Sequence, residues 1–447
     1  MFRWLIALFL LLHISIFQEY SSIAAEPGNV EIKLVKAWEV TWSRFYREDT
    51  HLFYDYLSSY EPGKELAHLP GIEEIRQQKP NECGYGTGME DGMISAGVIM
   101  SLVLDKYELT KVEALRKRAE AVYMGIRNCV TEEGFVARAV CHEDLMSFYP
   151  NSSRDQYTHA VHGLWLYARS PLCTDTTRQE IGQLLSRISD RMERNVIAEN
   201  NYDSLRADGT RDTRGISRMW NVNSHEWARL PMIYAATWDV TRDERYHKLW
   251  RKYINEAVEK SQRIPVAEST YALLQMAISL ELLAELEPEA ELKSMMEEIL
   301  GRIAGEGPRR LADSHGRLTG SDLTRVCGDW RTTPGLSHEG DYRPVWNAIR
   351  ECGEAALLQM VNGEPLEAQQ QQLLYDSISQ IDFNRVSANG IFFLQGAYWK
   401  DRVLEESKNR AHPVGQALEA IWCQTTQARR SLPNSLKTES KVEEGNA

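Results

Sequence analysis

Residue types able to do acid–base chemistry gather in three short stretches of the chain. The first is Cys83-Gly84-Tyr85-Gly86-Thr87-Gly88-Met89-Glu90-Asp91-Gly92, a glycine-rich run ending in two adjacent acids. The second is Ser152-Ser153-Arg154-Asp155-Gln156-Tyr157-Thr158-His159-Ala160-Val161-His162-Gly163-Leu164-Trp165. The third runs from Arg218 to Arg229 and holds Trp220, Asn223, His225 and Glu226. Two carboxyls facing one cavity can protonate a leaving group and activate water. A histidine or tyrosine can instead remove a carbon-bound proton. Asp91, Asp155, His159 and His225 are the candidate catalytic groups. On a helix, Asp155, His159 and His162 recur at i, i+4 and i+7 and share a face.

The alternatives to catalysis are local. Thr87-x-x-Glu90, Ser153-x-x-Gln156 and Asn223-x-x-Glu226 each match a helix capping box. An acid in a first helical turn also complements the helix dipole. Histidines on an apolar helix face can simply fill a core. Other chemistries are excluded by motif. The glycine run misses GxGxxG and is followed by no GKS or GKT, so it is not a nucleotide loop. Arg229 stands where HExxH needs its second histidine, and GxSxG is absent.

These stretches must be held by helices. One set of segments is amphipathic and charged, at about 31–59, 110–128, 175–196, 242–262, 288–304 and 366–382. A second set is apolar nearly all round, at about 90–105, 155–169, 223–238, 268–286, 344–361 and 411–424. Ile391-Phe392-Phe393-Leu394 is the best strand candidate. The strict alternation of the two sets predicts an all-α (α/α)6 toroid of six helical hairpins, one domain over 26–424. Links from inner to outer helices are short. Those from outer to inner are long, at about 60–89, 129–154, 197–222, 305–343 and 383–410. Long loops on one face predict a site where they meet the N-termini of the inner helices.

That face collects a sugar-binding inventory. Aromatic faces stack on pyranose rings, while Arg, Asn and Gln bind hydroxyls or a carboxylate. The candidate substrate contacts are Tyr85, Glu90, Arg154, Gln156, Tyr157, His162, Trp220, Asn223 and Arg229, joined by Tyr271, Trp330, Arg343 and Trp346.

The chain has 447 residues, is 43% hydrophobic and 26% charged, and carries a net charge of −13. That charge repels phosphate backbones and argues against nucleic-acid binding. Arg3, an apolar run from Trp4 to Phe17, and Ile23-Ala24-Ala25 have the order of a secretory signal, so residues 1–25 are expected to be removed. The run is shorter than a spanning helix needs. The mature chain is expected to be secreted or periplasmic, without stable membrane insertion. Residues 425–447 read as a polar, disordered tail. Seven cysteines leave one or two disulfides possible. Asn151-Ser152-Ser153 is a glycosylation sequon. No spacing is diagnostic of a metal, and no cofactor is expected. Oligomeric state is not written in the sequence.

The signal segment, the six hairpins and the junctions GYGTGMEDG and SSRDQYTHAVHGLW resemble bacterial carbohydrate-active (α/α)6 toroids. They are similar to unsaturated uronyl hydrolases and to uronic-acid-directed glycosidases and polysaccharide lyases. The resemblance implies an acidic polysaccharide or oligosaccharide as substrate. A hydrolase would use Asp155 as proton donor with Asp91 as its partner. A lyase would use His159, His225 or Tyr157 as base, with Asn223 or Arg154 neutralising the uronate. A non-catalytic glycan-binding toroid is the third reading.

Overall fold

A computed structural model describes residues 29–264, 268–332, 340 and 342–411. The expected signal segment, the 411–424 helix and the polar tail therefore lie outside the described residues, apart from Ala411 at the helix end. The described chain is helical, with one two-residue antiparallel ladder pairing β1 (Tyr46–Arg47) with β2 (Leu52–Phe53).

In chain order the helices are α1 (Asn29–Val40, continued by a π turn to Phe45), α2 (Ile72–Arg76), α3 (Gly92–Thr110) and α4 (Leu115–Cys129). Then come α5 (Arg154–Arg169), α6 (Asp175–Asn195), α7 (Arg229–Thr241), α8 (Glu244–Ser261) and α9 (Thr270–Leu286). The last four are α10 (Ala290–Thr319), α11 (Arg343–Gln359), α12 (Ala368–Gln380) and α13 (Ile391–Ala411). Their sequences explain their placement. In α6, Ile181, Leu184, Leu185, Ile188 and Met192 form one buried stripe, and Thr174 caps the start by accepting from Thr177 N at 3.1 Å. In α3, every residue from Gly92 to Met100 is buried, as expected for a helix without a polar face.

The apolar helices pack in sequence. α3 contacts α5, α5 contacts α7, α7 contacts α9, α9 contacts α11, α11 contacts α13, and α13 contacts α3. Small residues set these approaches. A Cβ on Gly97 would lie 2.5 Å from the His159 carbonyl oxygen. A Cβ on Gly353 would lie 2.4 Å from Leu394 N. Backbone cannot yield as a flexible side chain can, so Gly353→Ala is expected to cost about 1–3 kcal/mol through overpacking. A urea or thermal melt checks this; an unchanged midpoint would mean that α11 and α13 separate freely.

Three expected boundaries are corrected. The run Ile391-Phe392-Phe393-Leu394 opens α13, which occupies the stretch expected to be a loop over 383–410. Four consecutive apolar residues carry no period, so a buried helix and a buried strand look alike there. The loop before α11 is also shorter than expected, because α10 continues through Pro308 to Thr319. Gly307 lets it lie against α11, where a Cβ would meet Gln359 Cγ at 2.2 Å. Packing outweighs the local breaker signal. The first charged segment ends its helix at Phe45, well before 59.

Candidate functional site

The glycine-rich loop folds around Glu90. Its carboxylate accepts from Gly86 N at 3.0 Å and Gly88 N at 2.8 Å, and it is 1% exposed. Gly88 has φ +83°, and a Cβ there would lie 2.7 Å from His68 Nε2, so only glycine fits. Arg138, from the α4–α5 loop, donates to the Glu90 carbonyl at 2.8 Å and to the Tyr85 hydroxyl at 3.1 Å. The Gln156 side chain ties the start of α5 to the same place, donating to the Glu90 carbonyl at 2.9 Å and accepting from Met93 N at 3.1 Å. The expected Thr87 capping box is thus replaced by a carboxylate holding its own loop. Ser153 likewise makes no side-chain cap, whereas the Asn223–Glu226 box forms.

This framework presents Asp91 and Asp155 to one cavity of about 320 Å³, lined also by Tyr85, Arg138, Arg214, Tyr271, Arg343, Trp346, Arg350 and Glu354. The cavity lies at the N-terminal ends of α3, α5, α9 and α11. Asp91 pairs with Arg350 Nη1 at 2.6 Å, and Arg350 Nε donates to Glu354 at 2.6 Å. Behind them, fully buried Asp55 accepts from Asp91 N at 3.1 Å and from Asn389 Nδ2 at 3.1 Å. Burial, with Glu90 and Asp91 adding negative charge, raises the Asp55 carboxyl well above its ordinary range. Burial also pushes Glu354 up to about 7, against the pull of Arg350.

Asp155 has the opposite environment. Burial alone would raise it, but the Arg229 and Arg154 charges and the Arg229 hydrogen bond together hold it below its ordinary value. Its partner Arg229 is 1% exposed. Asp91 and Asp155 both act electrostatically on Arg138, which ties the two carboxylates to one field.

Positive charge remains for a ligand. Arg214 stacks 4.4 Å over the Tyr85 ring, and Arg343 stands at the cavity wall. Neither makes an ion pair among the described residues. Arg350 sits 4.7 Å over the Trp346 ring. An indole, two phenols and several guanidiniums can together bind a sugar ring and its carboxylate.

No protein-family model matches the chain, and no curated protein matches it. The site must be read from its own geometry. Among the described residues no group of three His, Cys, Asp or Glu side chains is placed to hold a metal ion. No described helix is long and apolar enough to cross a membrane. Cys83, Cys129, Cys141, Cys173 and Cys352 are buried free thiols, Cys327 is also buried, and Asn151 is buried against Asp212 at 2.9 Å, which removes its amide from the surface.

Of the expected site residues, Tyr85, Glu90, Asp91, Asp155, Tyr271, Arg343 and Trp346 line the cavity. The others stand elsewhere. Arg154 donates to the Gly215 and Arg218 carbonyls and pairs with Glu226, pinning the α6–α7 loop. Tyr157 is core, its hydroxyl accepting from Val136 N at 3.3 Å. Trp220 packs edge-on to Trp227 at 4.5 Å and Tyr253 at 4.7 Å. Trp330 is buried with Nε1 donating to the His68 carbonyl at 2.8 Å. His225 lies 3.6 Å from Glu226 and Glu268, and burial lowers its pKa. His159 and His162 line a second cavity. Asn223 caps, Gln156 braces, and Arg229 holds Asp155. Sequence reading missed Arg138, Arg214, Arg350 and Glu354. The first two sit in loops without periodicity. The Arg350/Glu354 pair carried a signal, two opposite charges at i, i+4 inside an apolar helix.

Proposed function

We propose that the chain is an exported glycoside hydrolase acting on uronic-acid-containing glycans or oligosaccharides by carboxyl acid–base catalysis. The order of helix contacts, closing from α13 back to α3, supports a full (α/α)6 toroid around this site. The observation that carries the reading is one cavity holding carboxyls of opposed character. Carboxyls pushed apart by their surroundings divide into a base and an acid. Asp155, kept ionised by Arg229 and Arg154, suits the base or nucleophile rather than the donor role that its position alone implies. Burial keeps a proton on Glu354 near neutrality against the pull of Arg350, and this side of the cavity supplies it to the leaving group. Arg214 and Arg343 hold the uronate carboxylate.

The test is an assay against a panel of uronate-containing polysaccharides and oligosaccharides, following reducing ends and the ultraviolet absorbance of unsaturated uronate. New ends with flat or falling absorbance are expected. Rising absorbance would mean β-elimination. Tyr85 is the group favouring that second reading, because Arg138 and Arg214 both lie against its ring. Burial nevertheless holds its hydroxyl up at about 12. Silence in both channels would leave a glycan-binding protein.

A pH profile gives a further check. Hydrolysis is expected to decline as pH rises through about 7, where Glu354 loses its proton. In Glu354→Gln this alkaline limb flattens or moves by at least about one pH unit, measured as kcat/KM against pH. An identical limb in both proteins places the proton elsewhere.

A further inference from the structure

A second cavity, of about 200 Å³, lies between the same helices toward the C-terminal ends of α3, α5 and α9. Its size suits a ligand smaller than a drug molecule. Much of its wall is aliphatic, with Leu166, Ile278, Leu282 and Leu357 contributed by three helices. Set into that wall are Asp105, Glu281 and Lys400, beside the Trp165 indole. The Lys400 charge acts on both carboxyls. Glu285, at the rim, already pairs with Arg169. Two carboxyls therefore face one ammonium within an apolar enclosure, leaving an excess of negative charge. His159 gives an independent sign that a ligand belongs here. It is 4% exposed, lines the cavity, and makes no hydrogen bond among the described residues. A buried imidazole is ordinarily satisfied.

We propose that this second cavity binds a small amphiphilic cation, an ammonium group carried on an apolar body. The ammonium donates to Asp105 and Glu281, which favour a cation over a neutral group. The apolar body covers the aliphatic wall and leaves water. A sugar would set its hydroxyls against that wall and leave them unpaired. The site uses neither Asp91 nor Asp155, so it stands whether or not the first cavity is hydrolytic.

Charge balance gives the pH dependence its sign. Burial raises Asp105 to about 6 and Glu281 to about 7, with Lys400 opposing and Glu108 and Glu285 adding negative charge. His159 and His162, facing them from α5, are lowered by burial to about 3 and about 4 and are neutral throughout this range. Near pH 5 only the Lys400 charge remains at the centre, and it repels a cation. Affinity for an ammonium should therefore rise as pH increases from 5 to 8.

Calorimetric titration of the purified protein with cyclohexylammonium, and separately with cyclohexanol, tests the proposal. The expected result is saturable one-to-one binding of the ammonium, with the alcohol about tenfold weaker or more. Glu281→Gln, which is nearly isosteric, should weaken the ammonium about tenfold or more. Ile278→Trp, which fills the space, should abolish it. Circular dichroism verifies that each variant is folded, and the cyclohexanol comparison needs no variant. Equal affinity for alcohol and ammonium overturns the proposal, as does an absence of saturable binding. A loss that follows Asp91→Asn instead of Glu281→Gln places the probe in the first cavity and overturns it equally.

Discussion

Under the proposed hydrolysis, Asp91→Asn is expected to lower turnover of a uronate-containing glycan by about 10²–10⁴-fold while the protein stays folded. The two halves of that expectation have separate causes. The carboxyl stands at the cavity wall, 16% exposed, so it can reach a sugar. An amide of the same shape cannot supply the negative charge that steadies an oxocarbenium-like transition state. The fold persists because Arg350 keeps a second carboxyl partner, Glu354, at 2.6 Å. A buried guanidinium left without any partner would be strongly destabilising. Here one remains, so the change in unfolding free energy should stay within about 1 kcal/mol. Steady-state kinetics beside a urea melt separates the two effects. Near-normal turnover in a folded Asp91→Asn protein would remove Asp91 from the chemistry. A large loss of both together would mean only that the cluster is structural.

The contrast between Asp91 and the residues around it shows what the sequence makes legible. Adjacent acids after a glycine run are visible as letters, and so is an acid at the start of an apolar helix. Both Asp91 and Asp155 were accessible for that reason, and the structure brings them into one cavity. Arg229 and Arg154 are legible as site residues but not as the partners of Asp155, and Arg138 is not legible at all. Arg138 shares the electrostatic field of Asp91 and Asp155 from a loop whose path is set by Tyr85, Ser152 and the Glu90 carbonyl, contacts distant in sequence. Asp55 belongs to a segment that reads as part of a charged helix but lies beyond the Phe45 end of the π turn.

The same limit governs the aromatic residues. Trp220 and Trp330 stand in long loops, where an exposed sugar-stacking face is a natural expectation. They are buried instead, because those loops fold back on the helices and need large side chains to anchor them. Helix type and extent were legible where charge and apolarity alternate, as in α6 and α8. They failed at α13, where the opening turn is apolar on every side, and at Pro308, where contact with α11 carries α10 past its local breaker. Tertiary contact decides what periodicity leaves open.

Arg229→Met should destabilise the protein by about 1–3 kcal/mol at pH 7, since Asp155 is left 29% exposed and with Arg154 still near. Under the proposed hydrolysis it should also shift the catalytic pH profile. Arg229 begins α7, is 1% exposed, and reaches Asp155 across the α5–α7 contact. Methionine fills much of the space but leaves the Asp155 carboxylate without its principal counter-charge. Arg154 stays close, though its own strongest pairing is with Glu226. In the native protein the folded pKa of Asp155 is depressed. That pairing therefore contributes stability above the unfolded carboxyl value, near about 4, and the contribution is lost as pH falls through the lower folded value. The gap between wild type and Arg229→Met should accordingly be widest at neutral pH and narrow below about pH 4. Urea melts at both ends of that range measure it. Activity supplies the second readout. Without Arg229 the Asp155 carboxyl rises, so the acid limb of kcat/KM must move to higher pH, in the direction opposite to any change expected from damage to the donor. A variant that loses stability but keeps its acid limb would show Arg229 to be a packing residue. One that moves both ties the ionisation of Asp155, the base in the proposed hydrolysis, to a guanidinium supplied by the neighbouring helix.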